Sequence, residues 1–394
     1  MGLERDRRNL ATPLLSTQEH PVPNAEQSER HRATIWPVRG KFDCRRIDAG
    51  FAMAERRRPI VAITAGDPSG IGPEIVLKTL THQEVSERCR PLVVGDLRIL
   101  KRAAGWLDLS PEFEVATIPE RGAYRHGSVT LIDLENAPPE RCPVGEVNAR
   151  SGAAAVEYVF RACDLAMAGE VDAVVTAPLN KAAMQLAGHH FAGHTELLTE
   201  RTGAKRVSML LIGPSLRVVH VSTHVALTDA IERITPERVA EVIQIAHEAC
   251  LALGIPRPRI AVAGLNPHAS EGGLFGDEER QRIEPAIAAA RARGFDVSDP
   301  QPPDTVFLRA TKGFYDIVVA QYHDQGHIPM KLLAFDSGVN VSYGLPIIRT
   351  SVDHGTAFDI AGTGKASETS LLAAIDVALQ MIAARAVETP TALG

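Results

Sequence analysis

Aromatic side chains are scarce in this chain and make up only 5% of its 394 residues. Alanine, valine and isoleucine are abundant instead, which is typical of a sheet that helices cover on both faces. The five cysteines are scattered and form no CxxC pair. This scatter argues against both a disulfide framework and a thiolate zinc motif, and it indicates reduced thiols in a cytoplasmic protein.

An excess of positive charge is also lacking, because the formal net charge is −6. We therefore expect no nucleic-acid partner and no anionic-membrane surface. No apolar run approaches the length of a membrane span. The length of the chain suits a soluble enzyme of two or three domains.

Sustained hydrophobic periodicity is missing from the first 53 residues, which mix charges, prolines and polar side chains. We predict a disordered extension over 1–53. It lacks the apolar core of a secretory signal and is too acidic for a transit peptide. Translation that starts at Met53 is a plain explanation of this segment.

Three apolar runs each reach a histidine just beyond a predicted strand. LRVVHVSTH reaches His224, RIAVAGLNPH reaches His268 and YDIVVAQYH reaches His323. Helix-like sequence separates the runs, so the strands should be parallel and their ends should gather along one edge of a sheet. Each histidine alone is more simply a loop residue. Three at equivalent strand ends predict a catalytic metal site with an open position.

The segment GDPSGIGPE follows a predicted strand at 59–64 and leads into a helix. Its glycines permit tight backbone geometry, and Asp67 or Ser69 is predicted to cap the helix. The glycine spacing is not the GxGxxG dinucleotide fingerprint, so the segment alone indicates only a strand, a turn and a helix.

The last third of the chain carries two cations close to His323. Lys331 and Arg349 are predicted to bind a phosphate or a carboxylate, since arginine binds such groups bidentately and lysine binds them as a point charge. A lone cation is usually a surface residue. Here the surrounding glycines, Asn340 and strand-like sequence favour a site.

Taken in order, a series of segments resembles the 4-hydroxythreonine-4-phosphate dehydrogenase family of vitamin B6 biosynthesis. They are GDPSGIGPE, TAPLNK, GHTE, STH, GLNPHASEGG, PPDT, YHDQG, GVN and IRTSVDHGTA. The resemblance runs from about 59 to 385 and implies that the three strand-end histidines bind a divalent metal. It also implies five substrate-binding residues, which are His194, Thr195, Lys331, Asn340 and Arg349.

A more distant similarity concerns the cofactor. GDPSGIGPE is similar to the GDGIGPE segment of isocitrate and isopropylmalate dehydrogenases, and DHGTAFDIAGTGKA is similar to their adenosine-binding HGSAPDIAGKG segment. This similarity implies NAD, or NADP, bound at His354, Gly355 and Asp359, with Asp359 accepting from the ribose hydroxyls. Those enzymes hold Mg²⁺ or Mn²⁺ through carboxylates, whereas imidazoles favour Zn²⁺, Co²⁺ or Ni²⁺, of which we prefer zinc.

The implied fold is α/β, of the two-domain isocitrate/isopropylmalate-dehydrogenase type, with the active-site cleft between the domains. One domain would comprise 54–150 together with 335–394, and the other would comprise 151–334. The family resemblance also implies a homodimer in which a second subunit completes the active site.

The implied reaction is the oxidation, with decarboxylation, of 4-phosphooxy-L-threonine to 3-amino-2-oxopropyl phosphate. Lys181, Asp304 and a metal-bound water are alternative proton acceptors. TAPLNK, GHIPMKLL and PPDTVF look more like a sister group that acts on 4-phospho-D-threonate or 4-phospho-D-erythronate, so the substrate stays open. A non-catalytic binding module on the same fold is the alternative from another class. The three histidines, together with Lys331 and Arg349, argue against it.

Overall fold

The computed structural model describes residues 58–388, and the predicted N-terminal extension lies outside this range. Its centre is a sheet of twelve strands. The strands are β1 (Ile60–Thr64), β2 (Arg90–Gly95), β3 (Glu112–Val115), β4 (Ser128–Asp133), β5 (Ala173–Thr176), β6 (Ser208–Ile212), β7 (Arg217–His220), β8 (Arg259–Ala263), β9 (Asp296–Gln301), β10 (Ile317–Ala320), β11 (Val339–Tyr343) and β12 (Arg349–Val352).

Helices connect most of these strands within the described range. They are α1 (Gly72–Thr81), α2 (Gln83–Arg88), α3 (Leu97–Trp106), α4 (Ala149–Met167), α5 (Lys181–Leu186), α6 (His194–Thr202), α7 (Leu227–Arg233), α8 (Pro236–Ala252), α9 (Glu284–Ala292), α10 (Val306–Thr311), α11 (His323–Ala334) and α12 (Thr369–Glu388). The alternation of strands and helices confirms the predicted α/β class.

The sheet contains two parallel blocks that run in opposite directions. Its order is β3-β4-β2-β1-β5-β12-β11-β6-β7-β10-β8-β9. The first six strands are mutually parallel, as are the last four. Between the blocks, β11 is antiparallel to both β12 and β6, and β6 is antiparallel to β7. Three reversals in a row leave the second block antiparallel to the first.

The central strands are short and almost wholly apolar, because both of their faces are covered. Every residue of β1, β5 and β10 is buried, and the sequences of these strands are IVAIT, AVVT and IVVA. The predicted strand at 59–64 is thereby confirmed. The predicted division into domains at residues 150 and 335 stays a prediction.

The C-terminal helix α12 differs from what its composition suggests. By length and composition, its segment Thr369–Ala386 is long and apolar enough to cross a membrane, which the sequence patterns did not indicate. The helix packs against β12, β5 and β11, and Leu371, Ala374 and Ala378 are fully buried there. A core helix passes the same test of length and composition, so this is weak evidence for a membrane span.

The predicted side-chain cap of α1 is wrong. Ile71 precedes the helix, and no side chain caps it. Asp67 instead folds back on its own loop and accepts a hydrogen bond from the backbone N–H of Ser69 at 2.8 Å. The Ser69 hydroxyl lies 2.7 Å from the hydroxyl of Ser151 on α4. The loop is therefore fixed by contacts with α4, and Pro73 in the first turn needs no N–H partner.

Close contact between α4 and α5 depends on a glycine. A Cβ atom added to Gly152 would lie 2.1 Å from the carbonyl oxygen of Ala183. Gly152→Ala should therefore destabilise the protein by about 1–3 kcal/mol, although alanine favours helices over glycine by about 0.5–1 kcal/mol. A Cβ atom added to the helical Gly105 would meet no other atom within 4 Å, so this position serves as the control. Urea unfolding should give Gly105→Ala at least wild-type stability, and equal behaviour of the two variants would contradict the packing argument.

Candidate active site

The three predicted metal histidines follow neighbouring strands. β10 lies between β7 and β8 and is parallel to both. His323 begins α11 just after β10, His224 follows β7, and His268 lies in the turn after β8. The strand arrangement predicted for these histidines is thus confirmed, and all three leave the same edge of the second block.

Two of these imidazoles are close enough to share a metal. The ring centres of His224 and His323 are 5.5 Å apart. Two imidazoles bound to one tetrahedral zinc at about 2.0–2.1 Å have their centres about 5 Å apart. Each ring also has a carboxylate beside Nδ1: Glu196 at 3.6 Å from His224 and Asp324 at 2.6 Å from His323. Such carboxylates orient metal-binding histidines and leave Nε2 for the ion.

The third predicted ligand is placed differently. His268 is exposed, its ring lies 6.3 Å from that of Phe275, and its described ring contacts do not join it to His224 or His323. Within residues 58–388 of a single chain, no group of three or more His, Cys, Asp or Glu side chains is arranged to hold a metal ion. The donor types therefore fit a divalent metal, but in the described part of one chain only His224 and His323 of the three lie close together.

Two further histidine rings, those of His327 and His220, lie close to His323 inside the fold. The ring of His327 stacks on that of His323, with centres 3.6 Å apart and planes 10° apart. The centre of the His220 ring lies 4.8 Å from that of His327. Burial, reinforced by the neighbouring rings, lowers the pKa of His220 to about 3 and that of His327 to about 4. His220 ends β7 and is buried there.

Arg349 lies at the centre of a polar group inside the sheet. Its guanidinium is buried and donates to the hydroxyls of Ser342 at 2.9 Å and Thr176 at 2.7 Å. The Ser342 hydroxyl is also 2.7 Å from that of Thr195. The guanidinium Nε has no partner, and burial lowers the pKa of Arg349 to about 9. Among the described residues, no carboxylate forms an ion pair with this cation, so the group is prepared for an anion.

Asn340 and His194 extend this polar group. Asn340 lies two residues before Ser342 on β11, so both side chains are on one face of the sheet. Its Oδ1 is buried without a partner, as is Nε2 of His194. Burial, and then the charges of Arg349 and Lys181, hold the pKa of His194 well below its usual range. The structure therefore brings together four of the five predicted substrate residues.

Lys331 and the two candidate bases are placed differently. The ammonium of Lys331 lies 2.7 Å from a carboxylate oxygen of Asp353 and also donates to the Asp353 carbonyl, and its described contacts do not join it to Arg349. Lys181 begins α5, close enough to His194 for its charge to act there. Asp304 is exposed in the turn before α10, and its described contacts do not join it to the other candidate residues.

The two segments that suggest a nicotinamide cofactor lie against each other. Glu74 on α1 is fully buried, and its carboxylate accepts from the backbone N–H groups of Gly362 and Gly364. Lys78, one turn on, donates to the carbonyls of Gly364 and Ala366 at 2.6 Å each. Side chains of α1 therefore bind both backbone N–H groups and backbone carbonyls of the loop that follows β12.

Two of the three predicted cofactor residues lie on the outer side of this loop. Gly355 and Asp359 are exposed. Nε2 of His354 is buried without a partner. The loop is tied to the turn before α1 by a 3.1 Å hydrogen bond from the N–H of Ile71 to the Thr356 carbonyl. An exposed carboxylate beside a rigid glycine-rich loop suits ribose hydroxyls, so the residues fit the adenosine part of a dinucleotide.

Glu196 is a site residue to which the sequence patterns give no role. With Thr195 it forms the first turn of α6, and these neighbours bridge the Arg349 group and the His224–His323 pair. Thr195 and Glu196 both line a cavity of about 620 Å³. Glu196 belongs to the GHTE segment, and only the fold brings it to His224.

The comparisons with known proteins identify the family. The family model described as pyridoxal phosphate biosynthetic protein PdxA matches residues 87–378. The chain belongs to the PdxA family. The D-threonate 4-phosphate dehydrogenase of Cupriavidus necator is 50% identical over 330 residues, which cover 83% of this chain and 98% of the relative.

Two further members of the PdxA family bear another name. The 4-hydroxythreonine-4-phosphate dehydrogenase of Desulfosudis oleivorans is 50% identical over 330 residues, which cover 83% of this chain and 97% of the relative. The crystal structure of the enzyme of that name from Klebsiella pneumoniae matches with a TM-score of 0.75 and 45% identity, covering 84% of this chain and 99% of the other. The α/β fold and the predicted family are thereby confirmed, and the chain is an oxidoreductase.

The buried carboxylate of Asp67 makes stability depend on pH. Its Oδ2 has no partner, and burial raises its pKa from 3.8 to about 6. The folded state therefore binds the proton more tightly than the unfolded state, and the associated stability is lost as pH rises from about 4 to about 6. A rise of this size in the pKa corresponds to about 3 kcal/mol in the free energy of unfolding. Asp67→Asn should stabilise the protein by up to this amount at pH 8 and have little effect at pH 4.

Urea unfolding at several pH values measures this effect. Asp336→Asn, at an exposed position, serves as the control and should change little at any pH. A stability difference between Asp67→Asn and wild type that stays constant from pH 4 to pH 8 would contradict the argument.

Proposed function

We propose that this PdxA-family chain is an NAD- or NADP-dependent, divalent-metal-dependent dehydrogenase. It oxidises the C3 hydroxyl of a 4-phosphorylated hydroxy acid, and the resulting 3-oxo acid loses its carboxylate as CO₂. The first candidate substrate is 4-phosphooxy-L-threonine, which yields 3-amino-2-oxopropyl phosphate in pyridoxal phosphate biosynthesis. A cytoplasmic location is part of the proposal.

The observation that carries this proposal is the link between a buried cation and a pair of oriented imidazoles. Thr195 reaches the Arg349 group through Ser342, and the adjacent Glu196 reaches His224. An anionic group bound at Arg349 would therefore hold the neighbouring carbon atoms beside the histidine pair. Arg349, with His194 and Asn340, orients the phosphate or the carboxylate of the substrate.

We assign His224 and His323 to the metal, and His268 of the partner subunit as the third ligand. Zinc is the preferred ion for three imidazoles. When bound, the metal supplies Lewis-acid polarisation of the C3 hydroxyl, and the nicotinamide supplies the hydride acceptor. Glu196 and Asp324 keep their histidines in the tautomer that offers Nε2.

The proton of the C3 hydroxyl needs an acceptor. Lys181 is the better-placed candidate, because its charge acts on His194 within the substrate group. Asp304 is exposed in the turn before α10 and remains the second candidate. We propose that His354, Gly355 and Asp359 bind the adenosine part of the cofactor, on the loop that Glu74 and Lys78 hold.

A second candidate substrate is D-threonate 4-phosphate. The Cupriavidus relative is named for this activity, and the Desulfosudis relative, at the same identity, is named for the other. The two substrates differ at C2, where a hydroxyl replaces an amino group. The phosphate, the carboxylate and the C3 hydroxyl are common to both, so the reaction proposed above does not depend on the choice.

Assays of NAD⁺ and NADP⁺ reduction with both phosphorylated acids test the proposal. We expect reduction with at least one of them and none with its dephosphorylated form. Arg349→Lys keeps a charge but loses the planar fork, so kcat/KM for the preferred acid should fall by about 10- to 100-fold. The KM for NAD⁺ should change little. Unchanged kcat/KM in Arg349→Lys would remove Arg349 from substrate binding, and no reduction with either acid would refute the proposed reaction.

A homodimer is the proposed assembly, and α11 supplies its surface. Ile328, Leu332, Leu333 and Phe335 are all more than half exposed at or just after this helix, with Leu332 at 82%. Apolar groups clustered in this way are typical of protein interfaces. The same helix begins with His323, so an interface here would bring a second chain to the metal ligands. The proposed cofactor residues follow β12, in the first block of the sheet, whereas the metal histidines follow strands of the second block, which runs in the opposite direction. The two groups therefore leave opposite edges of the sheet, which favours a site built from two chains.

A charge placed on this surface should dissociate the dimer. Leu332→Lys puts a cation at the most exposed apolar position of α11, whereas Met167→Lys makes the same kind of change at the exposed end of α4. Sedimentation should give a monomer, or at least a tenfold weaker dimer, for Leu332→Lys only. A wild-type dimer that both variants preserve would exclude this surface as the interface.

A further inference from the structure

The turn after β8 has an unusual backbone. Five consecutive residues, from His268 to Gly272, have φ between +44° and +70°, and four of them are not glycine. The left-handed region brings Cβ close to the following carbonyl oxygen, so a run of such residues is unfavourable by itself. A conformation of this kind persists only where its surroundings determine it. Something outside the turn must therefore hold it.

A single buried carboxylate makes the holding contacts. Glu279 is only 2% exposed. Its Oε1 accepts from the backbone N–H groups of Leu265 and Asn266, at 2.8 and 2.7 Å. Its Oε2 accepts from Nδ2 of Asn266 at 2.9 Å and from the hydroxyl of Ser270. Burial alone would raise the pKa of Glu279, but hydrogen bonds from Ser270 and Asn266 hold it below its usual value.

These contacts bracket His268 on both sides. Asn266 lies two residues before the histidine and Ser270 lies two residues after it. The strand end that enters the turn is tied to the start of α11, because the side-chain amide of Gln325 donates to the Gly264 carbonyl at 2.8 Å. The backbone on either side of His268 is thus held by Glu279 and by the helix that carries His323.

We propose that Glu279 is a positioning residue for the metal ligand His268. It fixes the left-handed turn, so that the imidazole projects from the edge of the chain toward the metal shared with the partner subunit. This inference rests on the proposed metal site. Glu279 does not touch the metal, and its effect passes through the backbone of the turn.

Titration of the full-length wild-type protein with Co²⁺ tests the role without relying on catalysis. The visible absorption of bound Co²⁺ reports the ligand set, and the titration gives the dissociation constant. Glu279→Gln keeps the size of the side chain but turns one acceptor into a donor that faces N–H groups. We expect about 10- to 100-fold weaker Co²⁺ binding and an altered absorption band, resembling that of His268→Ala, with folding judged by circular dichroism.

Glu278→Gln is the matched control. Glu278 is the preceding residue, and its carboxylate accepts a hydrogen bond from Nδ2 of Asn266 at 2.8 Å. It should bind Co²⁺ as the wild type does. A folded Glu279→Gln protein with the wild-type affinity and spectrum would overturn the inference. Equal Co²⁺ binding by wild type and His268→Ala would instead refute the proposed metal site.

Ser270→Ala covers the case in which Glu279→Gln does not fold. It removes one hydrogen bond to the same carboxylate and leaves the backbone contacts in place. Weaker Co²⁺ binding and a changed band in this variant support the positioning role. Unchanged affinity and spectrum overturn it.

Discussion

The site depends on a guanidinium that is buried in the sheet without a carboxylate. Removing a charge from water is costly unless an opposite charge compensates it. In the described part of the chain, the hydrogen bonds of Arg349 go to the hydroxyl groups of Ser342 and Thr176, and the charge of Glu196 offsets its burial only in part. An anionic ligand, as proposed above, would supply the compensating charge. The lowered pKa of Arg349 reflects its burial.

Two buried carboxylates stabilise loops by accepting hydrogen bonds from backbone N–H groups. Glu74 binds two N–H groups of the loop after β12, and Glu279 binds two at the end of β8. Each of these loops carries candidate ligand-binding residues on its outer side. Rigid loops lose little entropy when a ligand binds, so buried acids that touch no ligand can still determine affinity.

The sequence predicts those features that depend on local pattern. Valine- and isoleucine-rich runs predict β7, β8 and β10, and their spacing by helices predicts the common edge at which His224 and His323 meet. The segments of the family resemblance predict most of the Arg349 group. Features that depend on strand order escaped prediction. Thr176 reaches Arg349 only because β5 lies beside β12. Ser342 had a usable signal, since it follows Asn340 by two residues on one strand.

Further features could not be predicted from the sequence, for physical reasons. The pairing of Lys331 with Asp353 joins residues on separate elements, and no local pattern encodes it. The left-handed turn has only Gly272 and Gly273 as a sequence sign, because its other residues are held by Glu279 from a distance. The separation of His268 from the other two histidines within one chain likewise has no sequence signature, since a motif does not say which copy of the chain supplies each ligand.

The position of β12 also has a consequence for how the chain reaches its native state. This strand is made of residues 349–352, yet it lies between β5, at 173–176, and β11. During synthesis, β5 therefore keeps an open edge until nearly the whole chain has left the ribosome. Pairings of such long sequence separation form slowly, and an unpaired edge is prone to association with other chains. The first block of the sheet thus depends for its completion on the last strand to be made, and nascent chains are the ones most exposed to aggregation.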